Sequence, residues 1–523
     1  MSLLESIDSN LLLKWINAEV SLVRSEQLDR AAQEKIIKAI FGNSLLKNKS
    51  RLTDFLLGCD QENFGKLCSN LKVSTSGRKK LDIALDVAAK PFTEKSVLAS
   101  QLKELFSIED FFMPIREKFY DVEGIVEPVS SVPPAFDYQL ELIKKVKSFL
   151  NSEATASLMQ LPTGSGKTRV AIQSICEHLW DQECTKDSFI WLAHTQELCE
   201  QAYDTFLRIW SATGNRPVKT YCLWGGRKAI ITANQAIAIF STFGTFSGLY
   251  ERNELVSIIP RLHCVFVDEA HRASSRIFGS IVRELKQEVK VLGLTATPGR
   301  HADSVSDNLE LKQLFESHLI TSSILGDDPI KTLQERNILG IPRIKFITGS
   351  EIEVFEGNSG DVSSASLRML AHHEERNQVI VKELYNLISS GHKCLVFSCS
   401  VEHSKLIVAA LAAINISSAY VDSDMSSGRR ASVINMFARG EHMVLVNYGI
   451  LSTGFDVPDI SAVVITRPTS SIVLYSQMLG RGMRGTAAGG SDHFIVLDIR
   501  DNNDNFGEVN EVYNHFESLW LSH

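Results

Sequence analysis

The stretch LMQLPTGSGKTRVAI, residues 158–172, combines an apolar run, a glycine-rich loop, Lys-Thr and a second apolar run. Gly164 and Gly166 let the backbone turn so tightly that its N–H groups can point at phosphate oxygens. A helix beginning at Lys167 adds its positive N-terminal end, the lysine can reach the β- and γ-phosphates of a nucleotide, and Thr168 can ligate Mg²⁺. Leu161 stands where the general phosphate-loop pattern begins with glycine, so the strand before the loop and the helix after it carry the prediction. The predicted nucleotide-phosphate site consists of Thr163, Gly164, Ser165, Gly166, Lys167 and Thr168.

A pair of acidic residues follows the apolar residues of HCVFVDEAHRA, residues 263–273. A buried strand of this kind delivers Asp268 and Glu269 to the C-terminal edge of a sheet, where the ligands of α/β proteins bind. We predict that Asp268 holds Mg²⁺ together with Thr168, and that Glu269 polarises an attacking water. His271 lies near enough in the sequence to sense the γ-phosphate. These residues are therefore candidates for nucleotide hydrolysis.

The elements that must position these residues are two blocks of short apolar runs alternating with amphipathic segments. The runs SLMQL, FIWLAH and CVFVDEA in the first block, and CLVFS and FIVLDI in the second, are typical of strands buried on both faces of a parallel sheet. Before residue 126, apolar residues at three- and four-residue steps predict helices. We expect a helical accessory domain over residues 1–126, a first α/β lobe over 127–300, a connecting segment over 301–370 and a second α/β lobe over 371–523.

The composition is typical of a soluble globular protein, with 44% hydrophobic and 22% charged residues in 523. A formal net charge of −8 is not typical of a nucleic-acid-binding protein, although a local groove could still be basic. The nine cysteines form no CxxC pair, which favours buried thiols in a reducing compartment over a zinc site. No apolar stretch approaches the roughly 20 residues of a membrane span, and the first residues lack a secretion-signal pattern. We expect a cytoplasmic protein without a membrane partner.

Taken together, GSGKT and VDEAH resemble the superfamily 2 helicases of the DEAH-box type, and the resemblance covers about residues 131–500. It implies an α/β fold of two tandem RecA-like parallel-sheet domains, here preceded by an all-helical N-terminal domain. It also implies ATP and Mg²⁺ as cofactors. Lys167, Asp268, Glu269 and His271 would then be catalytic.

Further motifs of the first block follow in the family's order. FDYQ, residues 136–139, is similar to the adenine-reading motif, which implies a base contact for Gln139, although Arg-Pro often stands in the family where Phe-Asp stands here. LGLTATP (292–298) resembles the motif that couples hydrolysis to lobe closure through Thr295, Ala296 and Thr297. LAHTQELCEQ (192–201) and ITANQAI (231–237) resemble motifs that grip a nucleic-acid strand, which implies contacts by Thr195, Gln196, Thr232 and Gln235.

The second block carries the remaining motifs. VDSDMSSGRR (421–430) resembles a loop that precedes a helix, with Arg430 near the start of that helix. ILSTGFDVPDI (450–460) is similar to the motif that touches both ligands, which implies a nucleic-acid contact for Thr453 and nucleotide contacts for Gly454 and Asp456. YSQMLGRGMR (475–484) resembles QxxGRxxR, which implies a nucleotide contact for Gln477 and catalytic roles for Arg481 and Arg484.

These two arginines lie far along the chain from Lys167, on the other lobe. An arginine finger stabilises the charge on the transferred phosphoryl group and raises the rate of hydrolysis roughly 10³- to 10⁵-fold in related systems. Nucleic acid bound across both lobes would favour their closure, and we therefore expect hydrolysis to depend on nucleic acid.

The particular residues of the motifs also indicate which nucleic acid the chain acts on. LAHTQEL, LTATP, STGFDVP and QMLGRGMR resemble most the DNA-translocating branch of the family, including RadD-like repair helicases and type I restriction motor subunits. We therefore expect an ATP hydrolase that moves on or remodels DNA, in DNA repair or antiviral defence. Its partners would be single-stranded or structured DNA and a protein, such as a nuclease, bound by the helical domain. Two alternatives remain open, a nucleotide-gated sensor or assembly ATPase that recruits an effector and an RNA helicase.

Overall fold

The structure of the chain is a computed structural model. It describes residues 7–20, 28–108, 112, 123–126, 134–180, 187–225, 230–231, 236–271, 276–297, 305–352, 354–355, 357, 361–449, 457 and 459–501. Within these residues, no helix is both long and apolar enough to cross a membrane.

The N-terminal region is helical, as predicted. Its helices are α1 (Ser9–Glu19), α2 (Arg30–Phe41), α3 (Lys49–Gly58), α4 (Gln61–Asn70), α5 (Lys80–Ala88) and α6 (Val97–Phe106). Short polar side chains accept hydrogen bonds from backbone N–H groups of the first turn, which satisfies donors that a helix leaves unpaired at its start. These caps are Asp8, Asp29, Asn48, Asp60 and Ser96. We call residues 9–106 the helical domain.

The first lobe is built on an eight-stranded sheet in the order β1-β4-β5-β3-β6-β7-β2-β8. Its strands are β1 (Glu123–Val126), β2 (Ala156–Gln160), β3 (Ser188–Ala193), β4 (Val218–Leu223), β5 (Ile237–Thr242), β6 (Leu262–Asp268), β7 (Lys290–Thr295) and β8 (Leu319–Ile320). The helices are α7 (Asp137–Leu150), α8 (Lys167–Trp180), α9 (Gln196–Thr213), α10 (Phe243–Glu251), α11 (Arg276–Leu285), α12 (Val305–Leu314) and α13 (Pro329–Glu335). β2 and β3 are buried along their whole length, as expected for strands covered on both faces.

The second lobe has a six-stranded sheet in the order β11-β12-β10-β13-β14-β9, in which every neighbouring pair is parallel. Its strands are β9 (Ile341–Thr348), β10 (Cys394–Phe397), β11 (Ser418–Val421), β12 (Val444–Asn447), β13 (Ala462–Ile465) and β14 (His493–Arg500). The helices are α14 (Ser364–His372), α15 (Glu374–Ser389), α16 (Val401–Ala413), α17 (Ser427–Ala438) and α18 (Ile472–Leu479). The chain therefore has two tandem α/β lobes, as predicted.

Two of the predicted boundaries need correction. β1 lies within residues 1–126 but pairs antiparallel with β4, so this strand belongs to the first sheet and not to the helical domain. Residues 301–370 are more than a connection, because β8 joins the first sheet and β9 pairs with β14 over its full length. β9 is an edge strand with exposed positions along its whole length, so it lacks the continuous apolar run that marks a doubly covered strand.

Candidate active site

A cleft of about 500 Å³ lies between the lobes and is lined by residues of both. From the first lobe come the loop over residues 163–168, Asp268 and Glu269. From the second lobe come Gly480, Arg481 and Arg484. β2, which precedes the loop, and β6, which ends at Asp268, flank β7 in the sheet, so the strand ends bring the two motifs side by side.

The loop after β2 has the backbone that phosphate binding requires. Gly164 and Gly166 have φ angles of 83° and 96°, in the region that favours glycine. A Cβ on Gly166 would lie 2.5 Å from Nε2 of Gln139, so a side chain at that position would also collide with its neighbour. α8 begins at Lys167, as predicted, and directs its N-terminal end at the loop.

Gln139 ties the start of α7 to this loop. Its Oε1 accepts from the backbone N–H of Phe136 at 3.1 Å, and its Nε2 donates to the backbone O of Ser165 at 3.0 Å. The hydroxyl of Tyr138 donates to the same oxygen at 2.8 Å. Gln139 lines the cleft but is engaged inside the protein, so it holds the loop in place. Its predicted contact with adenine stays a prediction.

Lys167 and the acidic pair face each other at the cleft. Burial lowers the pKa of Lys167, while the charges of Glu269 and then Asp268 oppose that shift. Burial, and next the charge of Glu269, raises the pKa of Asp268 above its usual range. Among the described residues, Asp268 Oδ2 is buried without a hydrogen-bond partner, while Oδ1 accepts from the N–H of Glu269 at 3.0 Å. A divalent cation would satisfy that oxygen and offset the repulsion between the carboxylates, so Asp268 with Thr168 fits Mg²⁺.

Glu269 is held by residues behind the cleft. It has a φ of 52°, a strained backbone conformation for a residue other than glycine that is often found at active sites. His271 Nδ1 lies 3.3 Å from Glu269 Oε2 and 3.1 Å from Thr295 Oγ1. Because the Thr295 hydroxyl donates to Thr297 O at 2.6 Å and a carboxylate can only accept, we assign a proton of His271 to Nδ1. His271 thus contacts Glu269 directly, and its predicted response to the γ-phosphate stays a prediction.

The second lobe reaches this network through α18 and the turn after it. Gln477 Nε2 donates to Glu269 Oε2 at 3.5 Å, and Arg481 Nε donates to Gln477 O at 3.4 Å. Arg481 lines the cleft together with Lys167 and Asp268, so its positive charge lies at the phosphate end of the cleft. Residues from distant parts of the chain thus meet around Glu269.

Gly480 marks the closest approach of the lobes. A Cβ at this position would lie 2.4 Å from Cγ2 of Thr163, although the backbone of Gly480, with φ −57° and ψ −15°, accepts any residue. We expect Gly480→Ala to leave thermal stability almost unchanged and to lower kcat for nucleotide hydrolysis by about 10²-fold, the effect of displacing reacting groups by roughly 1 Å. Gly244→Ala is the control, because its Cβ would meet nothing within 4 Å. Equal kcat in both variants would show that hydrolysis does not use this contact.

Comparison with known proteins identifies the family. The family model of the type III restriction enzyme, res subunit, matches residues 133–300, and the model of the helicase conserved C-terminal domain matches residues 375–486. The chain belongs to the superfamily 2 helicases. Members of this family use ATP with Mg²⁺, which agrees with the fit of the phosphate loop and of Asp268.

Relatives and solved structures resemble this chain over most of its length. IRC3 of Saccharomyces cerevisiae, named as an ATP-dependent helicase, is 26% identical over 386 residues, which cover 72% of this chain and 52% of IRC3. The chain thus spans about half the length of this curated relative. The fold is shared with the type ISP restriction-modification enzyme LlaBIII bound to DNA (TM-score 0.52, 17% identity, 75% of this chain and 30% of that one). It is also shared with Dbp5 of S. cerevisiae bound to RNA and ADP BeF3 (TM-score 0.50, 15% identity, 74% of this chain and 92% of that one).

Several residues that line the cleft belong to none of the sequence motifs. Arg169 follows Thr168 directly and could have been noticed for that reason, whereas Arg208 reaches the cleft because α9 packs on α8. Burial, and next the charge of Arg208, lowers the pKa of Arg169. Three small or apolar residues of distant segments also line the cleft, namely Ile338, Ala487 and Ala488.

The predicted nucleic-acid residues are only partly described. Thr195 caps α9, its Oγ1 accepting from Leu198 N–H at 3.3 Å, and Gln196 Nε2 donates to Glu200 Oε1 at 2.8 Å. Their contacts with nucleic acid stay predictions. Five predicted residues lie outside the described part of the chain, namely Thr232, Gln235, Thr453, Gly454 and Asp456.

Proposed function

We propose that this chain is an ATP-dependent DNA translocase or helicase in which closure of the lobes completes the site for ATP hydrolysis. The observation that carries the proposal is the hydrogen bond from Gln477 of the second lobe to Glu269 of the first. Arg481, which donates to Gln477 O, lines the same cleft as Glu269. Neither lobe contains the whole site. A ligand that binds across both lobes therefore favours the hydrolytic state, by its differential affinity for the closed form.

Each residue has a role in this scheme. Bound ATP and Mg²⁺ supply the phosphoryl group to be transferred to water and the positive charge on its oxygens. The loop amides and Lys167 bind the phosphates, and Asp268 with Thr168 holds the cation. Glu269 orients water and accepts its proton, while Nδ1–H of His271 keeps the carboxylate in position.

Arg481 and Arg484 add positive charge from the second lobe. They counter the charge that develops on the phosphoryl oxygens as the bond to the leaving group breaks. Gln477 couples their approach to the position of Glu269. ATP hydrolysis is then fast only when the second lobe is closed onto the first.

DNA is the nucleic acid that we propose, on the basis of the family model named for a restriction enzyme subunit and of the motifs that resemble restriction motors. A net charge of −8 is compatible with this role, because backbone amides and hydroxyl groups can hold a phosphate strand beside a few cations. The pathway that we propose is DNA repair or defence against foreign DNA, in the cytoplasm. The helical domain is the proposed site for a protein partner.

The test is a titration of ATP hydrolysis with single-stranded DNA, duplex DNA, forked DNA and RNA. We expect hydrolysis to be slow without nucleic acid and to rise by about tenfold or more with DNA, since closure that is rare in the free protein becomes frequent in the complex. Stimulation by RNA above DNA would instead support an RNA helicase. Equal hydrolysis with and without any nucleic acid would contradict a motor.

Strand displacement and translocation assays then distinguish a motor from a nucleotide-gated sensor. A motor displaces a labelled strand or a bound protein block in the presence of ATP. DNA-stimulated hydrolysis without either movement would support the sensor.

A further inference from the structure

The helical domain rests on the second lobe at the edge of its sheet. α2 packs against α16 and against β11, the strand at one end of the six-stranded sheet. Lys405 on α16 donates to Glu19 at 2.5 Å, and Arg51 donates to the same carboxylate at 3.2 Å. Burial disfavours the carboxylate form of Glu19, but the hydrogen bond and charge of Lys405 outweigh it, so the pKa of Glu19 is lowered. The two parts are therefore joined by an ordered, partly buried interface.

Arg429, on the first turn of α17, extends this interface. Its guanidinium donates to Ser44 Oγ at 2.5 Å and to the backbone O of Ile40 at 2.6 Å, and it lies 5.8 Å from the centre of the Tyr420 ring. Ile40 is in the last turn of α2, where backbone carbonyl groups lack partners within the helix and favour a cation. Arg429 thus binds α17 directly to the helical domain.

The next residue on α17 contacts the first lobe. Arg430 forms an ion pair with Glu197, and the two side chains are 13% and 15% exposed. Arg430 also donates to the backbone O of Met425 at 3.1 Å, which fixes it to the start of its own helix. Glu197 is in the first turn of α9, whose later turns line the nucleotide cleft through Gln201. One turn of α17 therefore touches the helical domain and the first lobe together.

We propose that Arg429 is a positioning residue that makes lobe closure depend on the docked helical domain. By holding α17 against Ser44 and Ile40, it sets where Arg430 meets Glu197. Because the two arginines are consecutive on one helical turn, a movement of α17 that breaks the bonds of Arg429 also displaces Arg430. A partner that draws the helical domain away from the second lobe would therefore slow ATP hydrolysis.

A double-mutant cycle with the full chain tests this dependence, and its kinetic part rests on the proposed function. We expect Arg429→Ala to lower DNA-stimulated kcat about tenfold in the wild-type background and to have little further effect in Glu197→Gln, since residues of one network are not additive. Arg429→Lys, which keeps the charge and a donor, should recover part of the loss. Arg439→Ala is the control, because Arg439 at the other end of α17 is 64% exposed and pairs with Glu441. Additive effects of Arg429→Ala and Glu197→Gln would overturn the inference and leave the proposed function standing.

Hydrogen exchange provides a readout that needs no activity. In the first turn of α9, Leu198 N–H donates to Thr195 Oγ1 at 3.3 Å and Cys199 N–H to Thr195 O at 3.3 Å. We expect faster exchange at these amides in Arg429→Ala than in wild type, although Arg429 contacts α2 and not α9. Unchanged exchange would overturn the inference. If the wild-type protein hydrolysed no ATP, the proposed function would fail, while this measurement would still decide whether Arg429 acts on the first lobe.

Discussion

Glu269→Gln lowers kcat for ATP hydrolysis by about 10² to 10⁴-fold while ATP binding is retained, because the group that accepts the proton of the attacking water becomes an amide. Glutamine has the same length, and its Oε1 can still accept from His271 Nδ1 and Gln477 Nε2, which lie 3.3 and 3.5 Å from Oε2 of Glu269. The substitution therefore removes basicity and keeps position. Steady-state kcat at saturating DNA, with the affinity for a fluorescent ATP analogue, measures the two effects separately.

The control for this variant is Glu254→Gln. Glu254 belongs to the same lobe but is 44% exposed and pairs with Arg252, so its kcat should equal that of the wild type. If Glu269→Gln also kept the wild-type kcat, Glu269 would have no part in the chemistry, and the base would have to be sought elsewhere in the cleft.

Arg481→Ala lowers kcat by about 10³ to 10⁵-fold, the contribution of an arginine that stabilises charge on a transferred phosphoryl group. The phosphate loop, Lys167 and Asp268 all belong to the first lobe, so nucleotide affinity should fall far less than kcat. Arg481→Lys should restore little activity, since an ammonium group lacks the planar set of donors that a guanidinium offers to phosphoryl oxygens. Single-turnover hydrolysis with bound DNA separates this loss from slow product release.

Arg368→Ala is the matched variant, because Arg368 lies exposed on α14 of the same lobe. It should hydrolyse ATP as the wild type does. A fully active Arg481→Ala would mean that the contact of the lobes around Glu269 is not the hydrolytic arrangement, whatever the effect of Arg484→Ala.

Features that depend on near neighbours in the chain could be predicted. α8 begins at Lys167 and β6 ends at Asp268, as expected from the glycine loop and from the apolar run that meets two carboxylates. The helices of residues 9–106 followed from their periodicity. In each case the residues that decide the conformation are within a few positions of one another.

Edge strands could not be predicted in the same way. β1 and β9 end their sheets, and β9 is partly exposed along its whole length, so neither needs the apolar run by which the central strands were found. Their pairing with β4 and β14 depends on backbone hydrogen bonds between segments far apart in the chain. For the same reason, the sequence did not predict that the first lobe begins with β1 or that residues 301–370 contain strands of both sheets.

The resemblance of the motifs to a known family indicated which residues should meet, and the packing of the two lobes decides how they meet. The packing brings His271 against Thr295 and Glu269, and it lets Gln139 hold the phosphate loop through Ser165 O. Arg208 and Ala488 line the cleft although neither belongs to a recognised motif. Arg430 of the second lobe forms an ion pair with Glu197 of the first. The sequence gives the type of each side chain and its near neighbours. The residue that the side chain contacts in the folded protein depends instead on how the two sheets are placed relative to each other. That placement arises from many contacts between distant residues.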